Sequence, residues 1–412
     1  MTRLQLCVLV ALAATPPHAF AQSVLKLDNG RWFDGTRFQP KTMYVVDGVL
    51  RATAPAKVDT TLDLEGGYVV SPFGEAHNHN IAQSSRIDGM LRRYAQEGIF
   101  YVLNPNSLPG DRLANRINKP GALQAIFANG GLNVTGGHPW DLVARNIARG
   151  TWKPENAEGA FYHTIDSLPD LARKWPAILA GKPDIIKIYL LYSNEHEERR
   201  SSDHKGFIGL DPRHVKPIVD RAHAAGLRVV AHIENTHDFT AAVDAGVDVI
   251  AHMPGYGWLG AGDSTQFMLT PSAARAAAAR GTAVITTLAF NRRANATTRT
   301  EGEIRRDHMN ARNLRTLKEA GVAIAIGSDN FGATSRSEAL YLSDLGVFTN
   351  AELLRMWSET TPRVIFPNRP VGTLSDGAEA SLLVLEADPL ASFENTARIR
   401  VRMIQGVIVT TP

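Results

Sequence analysis

The chain has 412 residues, of which 44% are hydrophobic and 21% charged, and its formal net charge is +3. This length fits one large α/β domain with a smaller appendage, and the hydrophobic content is enough for a large buried core. The positive charges do not form a basic stripe interleaved with aromatic residues, which argues against nucleic-acid binding. We therefore expect a small-molecule substrate, and the sequence leaves a homo-oligomer open.

Residues 1–21 have the pattern of a signal peptide. Arg3 precedes an apolar segment at 4–14 that is too short to span a bilayer, and Ala19-Phe20-Ala21 is a small-x-small cleavage site. Cleavage there removes Cys7, the only cysteine, so the mature chain cannot form an intramolecular disulfide. We expect export to the periplasm or the medium, with Gln22 as the first mature residue, and no later segment long enough for a membrane span.

Both ends of the mature chain are predicted to be β-rich. Residues 24–64 consist of short apolar runs separated by Asn-Gly and Asp-Gly pairs, which are typical of hairpins. Residues 380–385 and 398–409 contain further strands. Because neither end is expected to be stable alone, the sequence predicts that 22–65 and 366–412 pair into one small β-sandwich.

Strand and helix patterns alternate between residues 66 and 365, which indicates parallel βαβ units. The expected strands are 68–70, 100–104, 123–134, 185–191, 227–231, 247–251, 283–287 and 322–326. Helix signals lie between them, including Asp211 as an N-cap followed by Pro212, and a capping box from Thr349 to Glu352. Eight such strands predict a (β/α)8 TIM barrel, an α/β fold whose catalytic groups gather at the C-terminal ends of the strands.

Potential metal ligands lie at these strand ends. His77 and His79 are two residues apart, so in an extended segment their side chains share one face. Each candidate alone is better explained without a metal, as a histidine that caps a strand or an aspartate that caps the next helix. Together they predict a metal centre at the mouth of a barrel. The six candidate ligands are His77, His79, Lys187, His232, His252 and Asp329.

Lys187 is the most informative candidate, because it lies within the apolar strand sequence Ile-Ile-Lys-Ile-Tyr. A buried ammonium is costly unless it is paired, and nearby divalent cations would repel it. Reaction with CO2 converts the amine into an anionic carbamate, whose two oxygens can bridge two metal ions. The alternative is a lysine whose ammonium reaches the solvent at the rim of the barrel.

The six candidate ligands at these strand ends resemble the metal site of the binuclear members of the amidohydrolase superfamily. The predicted sandwich and the segment 377–389 are also similar to that family, so the resemblance covers nearly the whole mature chain. Within the superfamily, the chain most resembles exported imidazolonepropionase-like and Xaa-Pro-dipeptidase-like hydrolases. It departs from the family pattern at Glu75 and Ser381, where members usually or often have aspartate.

The resemblance implies two divalent metal ions, most simply Zn2+, with His77, His79 and Asp329 on the more buried ion. His232 and His252 would hold the more exposed ion, and the Lys187 carbamate would bridge the two. It further implies that a bridging hydroxide attacks the substrate carbonyl while Asp329 moves the proton to the leaving group.

Three further polar residues, at strand ends that face the same mouth, are candidate substrate contacts. His138 is a candidate hydrogen-bond donor to the tetrahedral oxyanion, although a loop histidine without this role is an equal alternative. Tyr189 lies two residues after Lys187 and so shares its inward face, where it would equally serve barrel packing. Asn80 follows the histidine pair. We expect Tyr189 and Asn80 to be substrate-binding residues.

The function predicted from these patterns is the metal-dependent hydrolysis of an amide, either peptide-like or cyclic. Cleavage of a lactone or a carbamate ester remains an alternative. A mononuclear deaminase on the same fold is a further alternative, but a single-metal site needs no bridging lysine carbamate. A non-catalytic binding protein would be expected to lack at least one of the six candidate ligands, and all six are present.

Overall fold

A computed structural model of the chain describes residues 24–82, 87–108, 116–201, 204–292 and 298–410. The predicted signal peptide lies outside these residues. None of the helices in the described ranges is long and apolar enough to cross a membrane.

The described residues form an α/β structure in which strands dominate both ends and alternate with helices between them. The strands are β1 (Leu25–Phe33), β2 (Phe38–Val46), β3 (Val49–Arg51), β4 (Thr60–Asp63), β5 (Tyr68–Val70), β6 (Phe73–Glu75), β7 (Ile99–Ser107), β8 (Gln124–Asn129), β9 (Gly131–Asn133), β10 (Tyr162–Thr164), β11 (Ile185–Tyr189), β12 (Arg228–His232), β13 (Val249–Ile250), β14 (Ala283–Ile285), β15 (Ile324–Ala325), β16 (Leu382–Leu385), β17 (Ile399–Ile404) and β18 (Val407–Ile408). The α-helices are α1 (Ile87–Glu97), α2 (Trp140–Ala148), α3 (Leu168–Ala180), α4 (His196–Ser201), α5 (Pro212–Ala224), α6 (Thr236–Ala245), α7 (Pro271–Arg280), α8 (Glu301–Glu319), α9 (Ser335–Asp344), α10 (Asn350–Arg355) and α11 (Thr361–Ile365).

The two ends of the chain share one sheet, as predicted. Its strand order is β18-β17-β16-β5-β1-β2-β3, with β4 beside β1, and the antiparallel pairing of β16 with β5 joins the two ends. These eight strands are connected in one hydrogen-bonded sheet. Backbone hydrogen bonds from Leu50 to Ala378 and from Ala380 to Gly48 bring β3 back to the segment before β16, so the sheet curls around a core of its own.

The terminal sheet also contacts the central part of the chain through α1. The guanidinium of Arg402 on β17 donates to the carbonyls of Ala95 and Gln96 in the last turn of α1, at 2.6 and 2.7 Å. Carbonyls in the last turn of a helix lack the usual helical partners, although the N–H of Gly98 also donates to Ala95, and a cation there interacts favourably with the helix dipole. This contact fixes the C-terminal end of the helix that precedes β7.

The central strands form two parallel sheets. One has the order β6-β7-β8, and the other has the order β10-β9-β11-β12-β13-β14-β15. The predicted third strand is divided at Gly130, so β8 and β9 belong to different sheets. Gly130 has a φ of 65°, and a Cβ there would lie 2.6 Å from the carbonyl oxygen of Ala160, so the interruption needs glycine.

Backbone hydrogen bonds connect the two parallel sheets at both of their boundaries. The N–H of Ala76, after β6, donates to the carbonyl of Ile326, after β15, at 2.9 Å. At the other boundary, the N–H of Asp184 donates to the carbonyl of Phe127 at 2.8 Å. The first and last parallel strands are therefore neighbours, which brings the residues that follow them together.

The strand before the histidine pair differs from the prediction. The apolar run Tyr68–Val70 pairs with β1 and β16 in the terminal sheet, so this sheet extends beyond the predicted boundary at residue 65. The strand that leads to His77 is the short β6, which pairs in parallel with β7. Apolar character alone did not distinguish the two strands, because both are buried.

The side chain of Trp357 packs against β6. Its indole ring stacks on Phe73 at a centroid distance of 3.8 Å and an interplanar angle of 4°. Its Nε1–H lies 3.0 Å from both the carbonyl of Gly74 and the hydroxyl of Ser335. A Cβ at Gly74 would lie 2.5 Å from the side chain of Thr361. The backbone of β6 therefore packs directly against the helical region that contains Thr361.

We predict that Trp357→Ala lowers the free energy of unfolding by about 3–5 kcal/mol, because a buried indole is lost and a cavity remains. Trp357→Phe keeps a stacked ring and loses mainly the N–H interactions, so its loss should be smaller, about 1–2 kcal/mol. Thermal unfolding of both variants, followed by circular dichroism, checks the order. Equal losses would contradict the role of the stacked ring.

Candidate metal centre

The structure brings the sequence-predicted ligands to the same edge of the parallel strands. His77 follows β6, Lys187 lies within β11, His232 ends β12, and His252 and Asp329 follow β13 and β15. The candidate ligand atoms of His77, His252 and Asp329 all lie within 4.8 Å of one another, which makes this triplet a potential metal site.

The Asp329 carboxylate is at the centre of the cluster. Its Oδ1 lies 3.4 Å from the Nε2 atoms of both His77 and His79, and its Oδ2 lies 3.9 Å from Nε2 of His252. One carboxylate therefore faces three imidazole nitrogens that come from two other segments of the chain, His77 and His79 from one and His252 from the other. The His77 ring also lies 4.5 Å from the His252 ring, centroid to centroid.

The opposite ring nitrogens hold these three imidazoles in position. His77 Nδ1 donates to the carbonyl of Ala251 at 3.0 Å, and His79 Nδ1 donates to the carbonyl of Asn106 at 3.2 Å. His252 Nδ1 lies 2.9 Å from the hydroxyl of Thr287. In His77 and His79, the Nδ1–H tautomer leaves the Nε2 lone pair directed at the centre of the cluster. Such outer hydrogen bonds are typical of metal-binding histidines.

The backbone at Asp329 is fixed by the first strand. Asp329 has a φ of 43°, a conformation that is uncommon for a non-glycine residue and that clusters at functional sites. Its N–H donates to the carbonyl of His77 at 2.7 Å. At Gly327, a Cβ would lie 2.7 Å from the nitrogen of His77, so only glycine allows this approach.

Glu75 also connects the segment that carries His77 to the segment that carries Asp329. Its fully buried carboxylate accepts hydrogen bonds from the N–H and the hydroxyl of Ser328, at 2.8 and 2.9 Å. Burial raises the pKa of Glu75 to about 8, against the opposing effect of these hydrogen bonds. Glu75 therefore links the first and last parallel strands and contacts the backbone next to Asp329.

Burial determines the charge state of the cluster. It lowers the pKa of His77 and of His232 to about 3, and it lowers the pKa of His252 well below its usual value. These imidazoles are thus neutral near pH 7 and keep a free lone pair. Burial alone would raise the pKa of Asp329, but the adjacent His77 and His79 hold that pKa below its usual range. The carboxylate is therefore ionised.

Lys187 is buried within β11, with 2% of its surface exposed. Its Nζ lies 5.2 Å from the ring centroid of Tyr189, and the nearest charge that favours its protonated form is Asp329. Burial lowers the pKa of Lys187 to about 7, so a large fraction of the amine is unprotonated at neutral pH.

His138 and Tyr189 lie on the His232 side of the cluster. The His138 ring lies 4.8 Å from the His232 ring and 5.3 Å from the Tyr189 ring, centroid to centroid. Burial lowers the pKa of His138 to about 3, so its imidazole is neutral. Asn106 donates to the Tyr189 hydroxyl at 2.7 Å and, through its carbonyl, accepts from His79. Sequence reasoning missed Asn106, because it lies inside a strand with no motif around it.

The side chain of Asn80 is hydrogen-bonded to the loop that follows Asp329. Its Nδ2 donates to the carbonyl of Ala333 at 2.8 Å, and its Oδ1 accepts from the N–H of Gly332 at 3.2 Å. Its side chain is therefore used by the loop that follows Asp329. These contacts indicate a role in positioning the loop, and substrate contact by Asn80 stays a prediction.

Glu234 and Tyr256 are also part of the cluster and were not found from the sequence. His232 Nε2 donates to Glu234 Oε1 at 3.2 Å, so Nδ1 is the His232 nitrogen whose lone pair remains available to a metal. The Tyr256 ring stacks on His252 at a centroid distance of 4.1 Å. The His-x-Glu spacing at 232–234 was a usable signal, because alternate residues at a strand end share a face.

The donor set fits a divalent metal. Neutral imidazole nitrogens and an ionised carboxylate are the ligands that zinc and related transition metals bind, and they converge here in a buried position. The cavities of about 450 Å³ beside Trp32 and about 340 Å³ beside His196 lie elsewhere. Of the clusters among the described residues, the group around Asp329 is the one with ligand geometry.

We predict that Asn80→Ala increases amide hydrogen exchange in residues 330–333, because the loop loses its side-chain partners. The exchange rates of α5, which is far from this loop in the chain, serve as the internal control. A substrate contact without a structural role would instead raise KM and leave the exchange of the loop unchanged. Hydrogen-exchange mass spectrometry of the metal-free protein distinguishes the two outcomes before any substrate is known.

Comparison with known proteins supports the fold of this site. The chain is similar to the crystal structure of an amidohydrolase, with 20% identity, coverage of 95% of this chain and 100% of the other, and a TM-score of 0.71. It is also similar to A. niger ochratoxinase, with 17% identity, 94% and 95% coverage and a TM-score of 0.71. A Xaa-Pro dipeptidase with bound methionine has 14% identity, 94% and 99% coverage and a TM-score of 0.69. At these identities the similarity establishes a TIM-barrel-like fold with a separate domain.

Among curated protein sequences, none matches the chain. The profile of the amidohydrolase family, however, matches residues 203–409, half of the chain. This segment includes His232, His252 and Asp329, and the family is metal-dependent, in agreement with the observed cluster. The superfamily predicted from the sequence is confirmed. The chain therefore belongs to the amidohydrolase family and is a hydrolase that acts on carbon–nitrogen bonds.

Proposed function

We propose that this protein hydrolyses a peptide-like or cyclic amide with two divalent metal ions, which we expect to be Zn2+. The single observation that carries the proposal is the Asp329 carboxylate, whose oxygens face the Nε2 atoms of His77, His79 and His252 at 3.4–3.9 Å. The similarity to a Xaa-Pro dipeptidase makes peptide-like amides the first substrates to examine.

His77, His79 and Asp329 would hold the first ion, and His232 and His252 the second. A carbamate on Lys187 would be shared by both. When bound, divalent ions at these positions supply Lewis-acid polarisation of the substrate carbonyl and lower the pKa of water. During hydrolysis of the amide bond, residues of this chain position the substrate and transfer a proton from water to the leaving nitrogen.

Asp329 is the proposed general acid/base. Its ionised carboxylate accepts a proton as water adds to the carbonyl carbon, and then delivers that proton to the leaving nitrogen. His138 is neutral and lies beside His232, so its ring N–H is available to donate to the carbonyl oxygen as negative charge develops there. Tyr189 is proposed to contact the substrate from the neighbouring strand end.

The unprotonated fraction of Lys187 supports the carbamate. An unprotonated amine attacks the carbon of CO2, forms an N–C bond and releases one proton, which leaves an anionic carbamate. Burial favours this reaction, because it already disfavours the ammonium form. The resulting negative charge also offsets the charge of the two cations.

We also infer that the two parallel sheets close into a (β/α)8 barrel. The hydrogen bonds from Ala76 to Ile326 and from Asp184 to Phe127 support closure. The first joins the ends of the edge strands β6 and β15, and the second joins β8 of one sheet to the start of β11 in the other. In a barrel of this kind the proposed site lies at the C-terminal face of the strands.

Export is a further proposal, and it depends on the N-terminal sequence alone. The enzyme would then act in the periplasm or outside the cell, and protein recovered from the periplasm should begin near Gln22. Intact protein with Met1, recovered from the cytosol, would contradict it.

To test the function, we would screen metal-loaded protein against dipeptides, N-acyl amino acids and lactones. We expect amide hydrolysis that is lost on chelation. Asp329→Asn should lower kcat by about 10²–10⁴, the usual contribution of general acid–base catalysis, and by more if metal is also lost. Metal content measured in the same samples separates these two causes. Faster turnover of lactones would favour the ester alternative, whereas ammonia release with one bound ion would favour a deaminase.

Lys187→Ala is expected to bind less metal and to lose activity, because no carbamate forms. A short carboxylic acid such as propionate should partly restore both by replacing the missing oxygens. Lys187→Arg keeps length and charge but forms no carbamate, so it is the matched control and should also fail. Two bound metal ions together with full activity in Lys187→Arg would exclude the carbamate.

A further inference from the structure

The imidazoles of His232 and His252 are connected through two residues that have no part in the proposed chemistry. Glu234 Oε1 accepts from His232 Nε2 at 3.2 Å. The Tyr256 hydroxyl interacts with the Glu234 carboxylate, and each group shifts the pKa of the other. The Tyr256 ring in turn lies flat against His252, with an interplanar angle of 14° and a centroid distance of 4.1 Å. Its face is nearly perpendicular to His232, at 88° and 5.9 Å.

The chain reversal after β13 delivers Tyr256 to this position. The N–H of Gly255 donates to the carbonyl of Glu234 at 2.9 Å, and the N–H of Tyr256 donates to the carbonyl of Met253 at 3.1 Å. Gly255 has a φ of 78°, and a Cβ there would lie 2.6 Å from Met309 and 2.8 Å from Phe267. Glycine is therefore required for the turn, and the backbone of Glu234 itself anchors it.

We propose that Glu234 and Tyr256 form a brace that positions His232 and His252 together and so retains the second metal ion. The hydrogen bond to Glu234 selects the Nε2–H tautomer of His232 and makes its Nδ1 a stronger ligand. The stacked Tyr256 ring restricts rotation of His252. Because the hydroxyl of the same tyrosine contacts Glu234, a change at either residue affects both histidines. The proposal rests on the binuclear site proposed above.

If Glu234 and Tyr256 form a brace, their substitution should change how tightly one metal ion is held, which a purely structural role would not do. Loss of a structural contact lowers stability without changing how tightly a particular ion is held. Loss of a hydrogen bond to a metal-binding histidine weakens metal affinity, usually by about 10–100-fold. The readout is therefore the release rate of each ion.

The test uses Glu234→Gln, Tyr256→Phe and the double variant, each loaded with Zn2+ and mixed with a coloured chelator. Tyr256→Phe keeps the stacked ring and removes only the hydroxyl. Tyr101→Phe is the matched control, because Tyr101 is also a buried tyrosine that donates to a glutamate, Glu379, at 3.1 Å. Circular dichroism of each metal-free variant verifies that it is folded. If Glu234→Gln does not fold, Tyr256→Phe alone decides.

We expect wild-type protein to release two equivalents of Zn2+. Each brace variant should release one of them about 10–100-fold faster and the other at the wild-type rate, and Tyr101→Phe should match wild type. In the double variant, the acceleration should be less than the product of the two single effects, because the residues act as one unit. Wild-type release rates in both single variants, or equal acceleration of both equivalents, would overturn the brace. Wild-type protein that holds a single ion would overturn the binuclear site and the brace together.

Discussion

The site depends on one connection, in which the first parallel strand is joined to the last through Glu75 and Ser328. The buried Glu75 carboxylate accepts from both the N–H and the hydroxyl of Ser328, and the carbonyl of His77 accepts from the N–H of Asp329. These bonds hold Asp329 in a left-handed conformation that would not persist in an isolated segment. Without them, the Asp329 carboxylate would not face the two histidines that precede it by about 250 residues.

Burial lowers the pKa of the basic groups of the cluster, which favours metal binding, and its opposite effect on Asp329 is overcome by the adjacent histidines. It keeps the imidazoles of His77, His232 and His252 neutral and makes the Lys187 amine easier to deprotonate. The adjacent histidines keep Asp329 ionised. The centre therefore offers neutral lone pairs and one negative charge, which is an arrangement that divalent cations would stabilise.

The hydrogen bonds that orient the histidines differ between the two halves of the metal centre. His77 and His79 donate through Nδ1 to backbone carbonyls, so their orientation depends on strand positions and not on other side chains. His232 instead donates through Nε2 to the carboxylate of Glu234, which lies next to Tyr256. One half of the centre is thus oriented by the backbone and the other half by a side-chain pair. This difference gives the two proposed metal sites different sensitivities to substitution.

The sequence by itself determined the α/β class, the candidate ligand types and some helix starts, because these depend on local patterns. The Asp211 N-cap and the capping box at Thr349 appear as predicted. The tertiary structure decided which strand leads to His77, because Tyr68–Val70 pairs with β16 in the terminal sheet, whereas β6 pairs with β7. It also decided the contacts of Asn80 and Glu234, since the role of a polar side chain depends on the atoms to which it is hydrogen-bonded. Those atoms belong to the loop 330–333 for Asn80, and to His232 and Tyr256 for Glu234, contacts that depend on how the strands are arranged in space.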